Sequence, residues 1–366
     1  MRIAQLAPNV ESVPAKGYGG TELVVSLITE ELVRRGHEVT LFASGDSQTK
    51  ARLVSVTETS LRTNEKILPT QWSSFDLQII LKLRDMQDEF DIVHNHLGYQ
   101  ALSFLDQLPC ATVTTNHNLV KPYNAPLYLR YKHLPYVAIS NAYKRLNYPD
   151  EMNYAAVVYN GIDLKQFPTN PDQSNRDYLL FVGRVCKDKG TRDAIEVAKR
   201  LERKLLIAGK VDRADRAYFE KEVEPELDGK LIEYIGEVNH EQKVALYQKA
   251  IAVVYPIAFE EPFGLVMAES LACGTPLLAF DRGSVREVLT DGETAIIGNT
   301  VDDLVNGFAK LRTCSPHKCR QRVEENFSVK RMVDNYESLY ERLVGEKDAT
   351  MRRDMGALLD EVTSSR

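Results

Sequence analysis

Two glutamates stand eight residues apart in the run Glu261-Pro262-Phe263-Gly264-Leu265-Val266-Met267-Ala268-Glu269. Carboxylates at this spacing can accept vicinal hydroxyls in pairs, the pattern a ribose or another sugar presents. Pro262 has no N–H to donate and Gly264 tolerates dihedrals that other residues avoid, so the sequence predicts a helix opening near Leu265. The first N–H groups of a helix lack partners within it and lie at its positive end, which suits a phosphate. Gly264, Leu265 and Val266 supply those groups. Glu269 follows about one turn further in, roughly 6 Å of rise at about 1.5 Å per residue, about the step from a phosphate to a ribose. Glu261, ahead of the helix, can face a different part of the same ligand.

Other residues carry compatible chemistry. Arg184 and Lys189 fall in Phe181-Val182-Gly183-Arg184-Val185-Cys186-Lys187-Asp188-Lys189-Gly190, a turn after a strand-like run. Two cations there can neutralise a diphosphate, Arg through its planar fork and Lys as a compact point charge. Lys16-Gly17-Tyr18-Gly19-Gly20-Thr21-Glu22 precedes a helical pattern of Leu23, Val24, Leu27, Ile28 and Leu32. Its glycines let backbone N–H groups approach an anion. This is not the G-x-G-x-x-G pattern, so a dinucleotide enzyme is disfavoured. His94-Asn95-His96 ends a strand without an evident third metal ligand, and Cys314, His317 and Cys319 lack a second ligand pair at zinc spacing. No D-x-D triplet, G-x-S-x-G elbow or Walker lysine occurs.

The elements that must position these residues alternate along the chain. Strand-like runs are Ile3–Ala7, Glu38–Ala43, Asp91–His94, Ala111–Thr115, Tyr136–Ser140 and Ala156–Tyr159, then Tyr178–Gly183, Lys204–Ala208, Leu231–Ile235, Ala252–Tyr255, Pro276–Phe280 and Ala295–Ile297. Several are apolar without alternation, as strands covered on both faces are. Strand–helix repetition predicts an α/β fold with two doubly wound parallel sheets, whose ligands sit beyond the carboxyl ends of the strands. The polar segment 164–175, with Pro168 and Pro171, reads as the linker between domains 1–163 and 176–339.

Composition is that of an ordinary globular protein: 366 residues, 43% hydrophobic and 27% charged. A net charge of −6 argues against a nucleic-acid partner bound through phosphate neutralisation. The start resembles a strand rather than a signal sequence, so a cytoplasmic location is expected. Five scattered cysteines do not form a disulfide framework. Lys121-Pro122-Tyr123, Tyr128 to His133 and Tyr143-Lys144-Arg145 place cations among aromatics, leaving peripheral contact with the inner membrane face open.

With Phe263-Gly264-Leu265 inside it and Ala272-Cys273-Gly274-Thr275-Pro276 after it, the glutamate pair resembles the E-x7-E signature of retaining glycosyltransferases of the GT-B architecture, family 4. The resemblance spans roughly residues 1–340 and is weakest over 48–89 and 117–135. It implies two Rossmann-like domains facing a central cleft, with a last helix, about 340–366, crossing back onto the first domain. It implies that Gly19 and Gly20 face the donor pyrophosphate and the acceptor, with Tyr18 and His117 on the acceptor side. It also implies that His96 contacts the donor sugar near its reacting carbon. Arg184 and Lys189 resemble the family's phosphate clamp, Gly209 borders the nucleotide base, and Ser140, Phe263, Gly264, Leu265 and Val266 line the donor site. Glu269 would hold the ribose and Glu261 the sugar hydroxyls. The implied reaction is metal-independent hexosyl transfer from a nucleotide diphosphate sugar to an acceptor hydroxyl, with retention and no further cofactor. A nucleotide-sugar epimerase of the same architecture and a non-catalytic nucleotide-sugar-binding subunit are the alternatives.

Overall fold

Buried apolar runs dictate the two sheets of this computed structural model, which describes residues 1–17, 19–172 and 174–364, with side chains through 353. The chain divides into two units. The first comprises Met1–Ile139, Lys144–Val158 and the chain from Val329; the second comprises Ser140–Tyr143 and Tyr159–Ser328.

The first unit is built on seven parallel strands: β1 (Arg2–Leu6), β2 (Glu38–Phe42), β3 (Arg52–Val54), β4 (Ile92–Asn95), β5 (Ala111–Thr115), β6 (Tyr136–Ala138) and β7 (Tyr154–Val157). Their order is β3-β2-β1-β4-β5-β6-β7, so it reverses between β1 and β4. The register sets Gln5 of β1 beside His94 of β4. The edge strand β3 is not foreseen in the sequence, because its three residues, Arg52 exposed and Leu53 and Val54 half-exposed, bury too little to leave a pattern. The helix Gly20–Arg34 buries Val24, Val25, Ile28 and Leu32. Against it lies the helix Val329–Ser364, tied by Arg35, which bonds Glu31 of the one and Asp334 and Glu337 of the other. Tyr336, Tyr340 and Leu343 are buried on that long helix.

In the second unit β8 (Tyr178–Val182), β9 (Leu205–Ala208), β10 (Ile232–Gly236), β11 (Ala250–Tyr255), β12 (Leu277–Phe280) and β13 (Ala295–Gly298) form a parallel sheet ordered β10-β9-β8-β11-β12-β13. The order reverses between β8 and β11, the place where ligands enter such sheets. Leu179, Phe181, Ile207, Val254 and Leu278 build its core with Ile195 and Ala198 of the helix Thr191–Arg200. This two-sided cover explains why these strands read as unbroken apolar runs.

Where the chain changes units differs from the expected boundaries. It passes into the second unit at Tyr159 and returns at Val329, ahead of residues 164 and 340. The segment 164–175 packs on the second unit: Phe167 is buried, Thr169 Oγ1 donates to the Ala272 carbonyl, and Asn170 Nδ2 donates to the Gln248 carbonyl. Backbone and side-chain bonds outweigh the flexibility that its composition suggested. Likewise, Tyr128 and Tyr143 are core residues, so they cannot anchor a membrane interface; Tyr123 is exposed. Among the described residues no helix is long and apolar enough to cross a membrane.

All five cysteines are free and buried. Burial pushes the thiols of Cys273 and Cys319 up to about 12 and that of Cys314 up to about 11. A raised pKa leaves the thiol protonated, and the thiolate is the nucleophile. Ellman's reagent at pH 8 is therefore expected to leave the native thiols almost untouched and to label all five in denaturant; rapid labelling of native protein would contradict this packing.

Candidate functional site

Glu261 sits just past β11, and its side chain is buried although charged, with the residue only 7% exposed. Two groups compensate it. Lys189 Nζ lies 3.1 Å from Oε2, and the Tyr255 hydroxyl donates to the same oxygen at 2.5 Å. Lys189 also stands 4.6 Å from the Phe259 ring centroid, a cation–π distance. It is held there because Gly190, at φ +73°, turns the chain into the helix Thr191–Arg200 against Pro256, whose carbonyl oxygen would lie 1.9 Å from any Cβ at this position.

Glu269 is matched in the same way by residues that the sequence reading did not single out. Lys243 Nζ reaches Oε1 at 2.8 Å and the Tyr247 hydroxyl donates to Oε2 at 2.9 Å. These two residues are four apart on the helix His240–Lys249, hence on one face. That helix is opened by Asn239, whose side chain accepts the Gln242 N–H while Gln242 Oε1 accepts the Asn239 N–H. A carboxylate has about four acceptor positions, so Glu269 keeps capacity for hydroxyls beyond these two bonds.

Between the glutamates, every carbonyl of the turn has a donor. The Ser284 N–H donates to Glu261, the Ser140 hydroxyl to Pro262 at 2.6 Å, and the Ser284 hydroxyl to Phe263. Ser140 thus fixes the turn through its buried hydroxyl, and Phe263 packs its ring with Tyr159 and Phe327. Gly283, at φ +58°, allows this approach: a Cβ would fall 2.3 Å from the Glu261 carbonyl oxygen. Gly264 then adopts φ +79° and the helix Leu265–Ala272 begins where the sequence predicts. The N–H groups of Gly264, Leu265 and Val266 make no hydrogen bond among the described residues. Their orientation at a helix N-terminus is that of an anion site.

Arg184, half-exposed after β8, lies 3.6 Å from Asp212 and 3.4 Å from Asp215. Gly209, at φ +153°, abuts Gly183, whose carbonyl oxygen would lie 1.8 Å from a Cβ. Beside Gly209 opens a cavity of about 300 Å³ lined by Lys210, Val211, Arg216, Phe219, Tyr234 and Glu237. Another, of about 290 Å³ and lined in part by Arg2, Asp91, Cys110 and Lys347, opens at the amino ends of β1, β4 and β5, away from the residues discussed here.

In the first unit, Gly19 precedes and Gly20 begins the helix Gly20–Arg34; Tyr18 lies outside the described residues. Burial raises the pKa of the Glu22 carboxyl, in the first turn of that helix, from its ordinary value. His96 and His117 are brought together, with His96 Nδ1 and His117 Nε2 3.0 Å apart and rings stacked at 5.2 Å. His96 is buried and its Nε2 meets Gln5 Oε1 at 2.9 Å. Desolvation lowers the His117 imidazole to about 4, and that of His96 falls well below the ordinary range for the same reason, aided by His94 and His117. Both rings are neutral at physiological pH. Among the described residues no group of three or more His, Cys, Asp or Glu side chains could hold a metal ion.

Comparison with known proteins places both halves of the chain in one family. A family model described as Glycosyl transferases group 1 matches residues 163–328, and one described as Glycosyltransferase Family 4 matches residues 18–166. A glycogen synthase of Mycobacterium tuberculosis is 33% identical over 147 residues, 38% of this chain and 35% of that protein, so the match spans about a third of the relative's length. D-inositol 3-phosphate glycosyltransferase of Corynebacterium diphtheriae is 24% identical, over 93% of this chain and 94% of its own. Among solved structures, sucrose-phosphate synthase from Thermosynechococcus elongatus superposes with a TM-score of 0.80 at 18% identity, covering 94% of this chain and all of that one. HepE of Anabaena, solved with UDP and glucose, gives 0.72 at 16% identity, covering 92% of this chain and 98% of its own.

Removing Lys243 leaves a buried carboxylate with one hydroxyl donor. Lys243→Met is expected to cost about 1–3 kcal/mol of stability in urea denaturation, because the surviving charge stays uncompensated. Adding Glu269→Gln should restore part of that loss; strictly additive costs would show that the pair is not coupled.

Proposed function

We propose that this chain, which belongs to glycosyltransferase family 4, takes a sugar from a nucleotide-sugar donor as a retaining, metal-independent hexosyltransferase. The observation that carries the reading is the arrangement in the second unit. Lys189, Glu261 and the unbonded N–H groups of Gly264, Leu265 and Val266 come together beyond β8 and β11, where the strand order reverses. A nucleoside diphosphate needs this mixture of cation and fixed dipoles.

On this reading Arg184 and Lys189 take the charge that grows on the diphosphate as the glycosidic bond breaks, with the helix N-terminus as a preorganised third donor. Both cations rest against carboxylates, so the diphosphate exchanges one anionic partner for another of higher charge. Glu269 accepts the ribose hydroxyls, and the base occupies the cavity beside Gly209, whose Phe219 and Tyr234 rings offer stacking surfaces. Glu261 contacts the hexose hydroxyls. No residue of the site is an evident covalent nucleophile. The acceptor hydroxyl therefore attacks from the face that the leaving group departs, with the departing phosphate receiving its proton. His117 offers a sugar a neutral hydrogen-bonding group, whereas His96, buried and with both ring nitrogens taken by His117 and Gln5, supports that ring rather than touching a sugar itself.

Calorimetry with UDP, GDP and ADP in the presence of a chelator tests the donor site. One of the three is expected to bind, and Glu269→Gln, Arg184→Ala and Lys189→Ala are each expected to weaken it by about tenfold or more, the worth of a charge-assisted hydrogen bond. Absence of binding by all three nucleotides would refute this donor site. NMR of the product should show the anomeric configuration of the donor; an inverted product would refute the mechanism, and a new sugar nucleotide without an acceptor would indicate an epimerase.

A further inference from the structure

His96 is one link in a hydrogen-bonded chain that runs through the first unit to the helix Val329–Ser364. His117 Nε2 meets His96 Nδ1 at 3.0 Å, and His96 Nε2 meets Gln5 Oε1 at 2.9 Å. Gln5 Nε2 donates to the Tyr340 hydroxyl at 3.2 Å, which meets His94 Nδ1 at 2.6 Å. His94 Nε2 meets Thr115 Oγ1 at 2.8 Å, and Thr115 meets the Tyr336 hydroxyl at 3.1 Å. Gln5, His94, His96, Thr115, Tyr336 and Tyr340 are all buried; His117 alone is partly exposed. Among the described residues no Asp, Glu, Lys or Arg side chain hydrogen-bonds to any member of this chain.

Such a chain has a direction, because a neutral imidazole carries one N–H. The Gln5 carbonyl oxygen can only accept, so His96 carries its proton on Nε2. His96 Nδ1 is then an acceptor, and His117 must donate to it from its own Nε2. That leaves His117 Nδ1 as a lone pair, with no hydrogen bond among the described residues. On the other side, the Gln5 amide donates to Tyr340, Tyr340 gives its single proton to His94 Nδ1, and His94 is likewise the Nε2–H tautomer. Given the orientation of the Gln5 amide, this sense satisfies every bond from His117 to Thr115, while the Thr115–Tyr336 bond can run either way.

We infer that Tyr340 and Gln5 are positioning residues that, acting through His96, hold His117 with its Nδ1 lone pair presented as an acceptor to a sugar hydroxyl. The inference rests on the sugar-transfer reading above for the identity of the ligand. His117 follows β5 and His96 follows β4, at the carboxyl edge of the sheet beside the reversal between β1 and β4, where a ligand is expected. The neutral ring set by desolvation accepts from a hydroxyl and offers no charge to a phosphate. A histidine donating from this position would discriminate differently, favouring ring or carbonyl oxygens.

The test begins with the unliganded wild-type protein, labelled with nitrogen-15 in histidine. Imidazole spectra at neutral pH should report the Nε2–H tautomer for His94, His96 and His117, assigned by single histidine substitutions. A His96 or His117 protonated on Nδ1 would overturn the inference, since it would mean that the Gln5 amide is reversed. Tyr340→Phe keeps the ring and removes the hydroxyl; it is expected to mix the tautomers of His96 and His117. With the donor found by calorimetry, it should lower kcat about tenfold, the worth of one hydrogen bond, while the Kd of the nucleotide stays unchanged. His117→Ala should lower kcat as much, and the double variant should be no worse than His117→Ala alone. Additive losses, or an unshifted tautomer in Tyr340→Phe, would overturn the inference. If wild-type protein turned over no nucleotide sugar, the functional reading would fail, and the tautomers would still decide whether Tyr340 and Gln5 act as described.

Discussion

A buried carboxylate is tolerable only when cations and donors compensate its lost hydration, and this protein meets that requirement twice within nine residues. Glu261 and Glu269 are each bonded by one lysine and one tyrosine. The two pairs differ in construction. Lys189 comes from the loop that Gly190 turns into the helix Thr191–Arg200 and Tyr255 from the end of β11, whereas Lys243 and Tyr247 come from successive turns of a single helix. Much of the second unit can be understood as scaffolding for these contacts. Thr275, in the segment that follows the helix Leu265–Ala272, donates to the Tyr247 carbonyl and Ser270 donates to that of Thr275, locking both helices around Glu269.

The turn between the glutamates illustrates how acceptors can be occupied so that donors remain available. Glu261, Pro262 and Phe263 have their carbonyls bonded by serines, and the Phe263 ring is anchored in an aromatic cluster. The peptide planes cannot rotate without breaking one of those bonds. Preorganisation of this kind is what makes a backbone anion site effective, since no reorganisation is needed when charge arrives.

Much of this was legible in the residues themselves. Runs such as Leu277–Phe280 are apolar on both faces and read correctly as covered strands, and Gly264 marked the helix start because only its dihedrals fit there. Other features could not be read. Lys243 and Tyr247 resemble any solvated helical pair until the fold sets them against Glu269. Phe263 lies within the signature, yet its side chain serves the core; no local pattern separates those roles. Tyr340 stands 335 residues from its partner Gln5 in a helix dominated by charge, where periodicity reports burial and not hydrogen bonding. Contacts of that range are a property of topology, and topology is what a single sequence encodes least locally.

The return of the chain at Val329 has a consequence for synthesis. The second unit is contiguous from Tyr159 to Ser328, apart from four residues that precede it, and so has all its parts once Ser328 has emerged from a ribosome. The first unit begins earlier and is completed later: Gln5 and His94 lack their partner Tyr340, and the helix Gly20–Arg34 its long neighbour, until the helix Val329–Ser364 is made. Domains generally mature in the order of translation. Here the order is inverted, and the nascent first unit waits, incomplete, until the segment that starts at Val329 has been made.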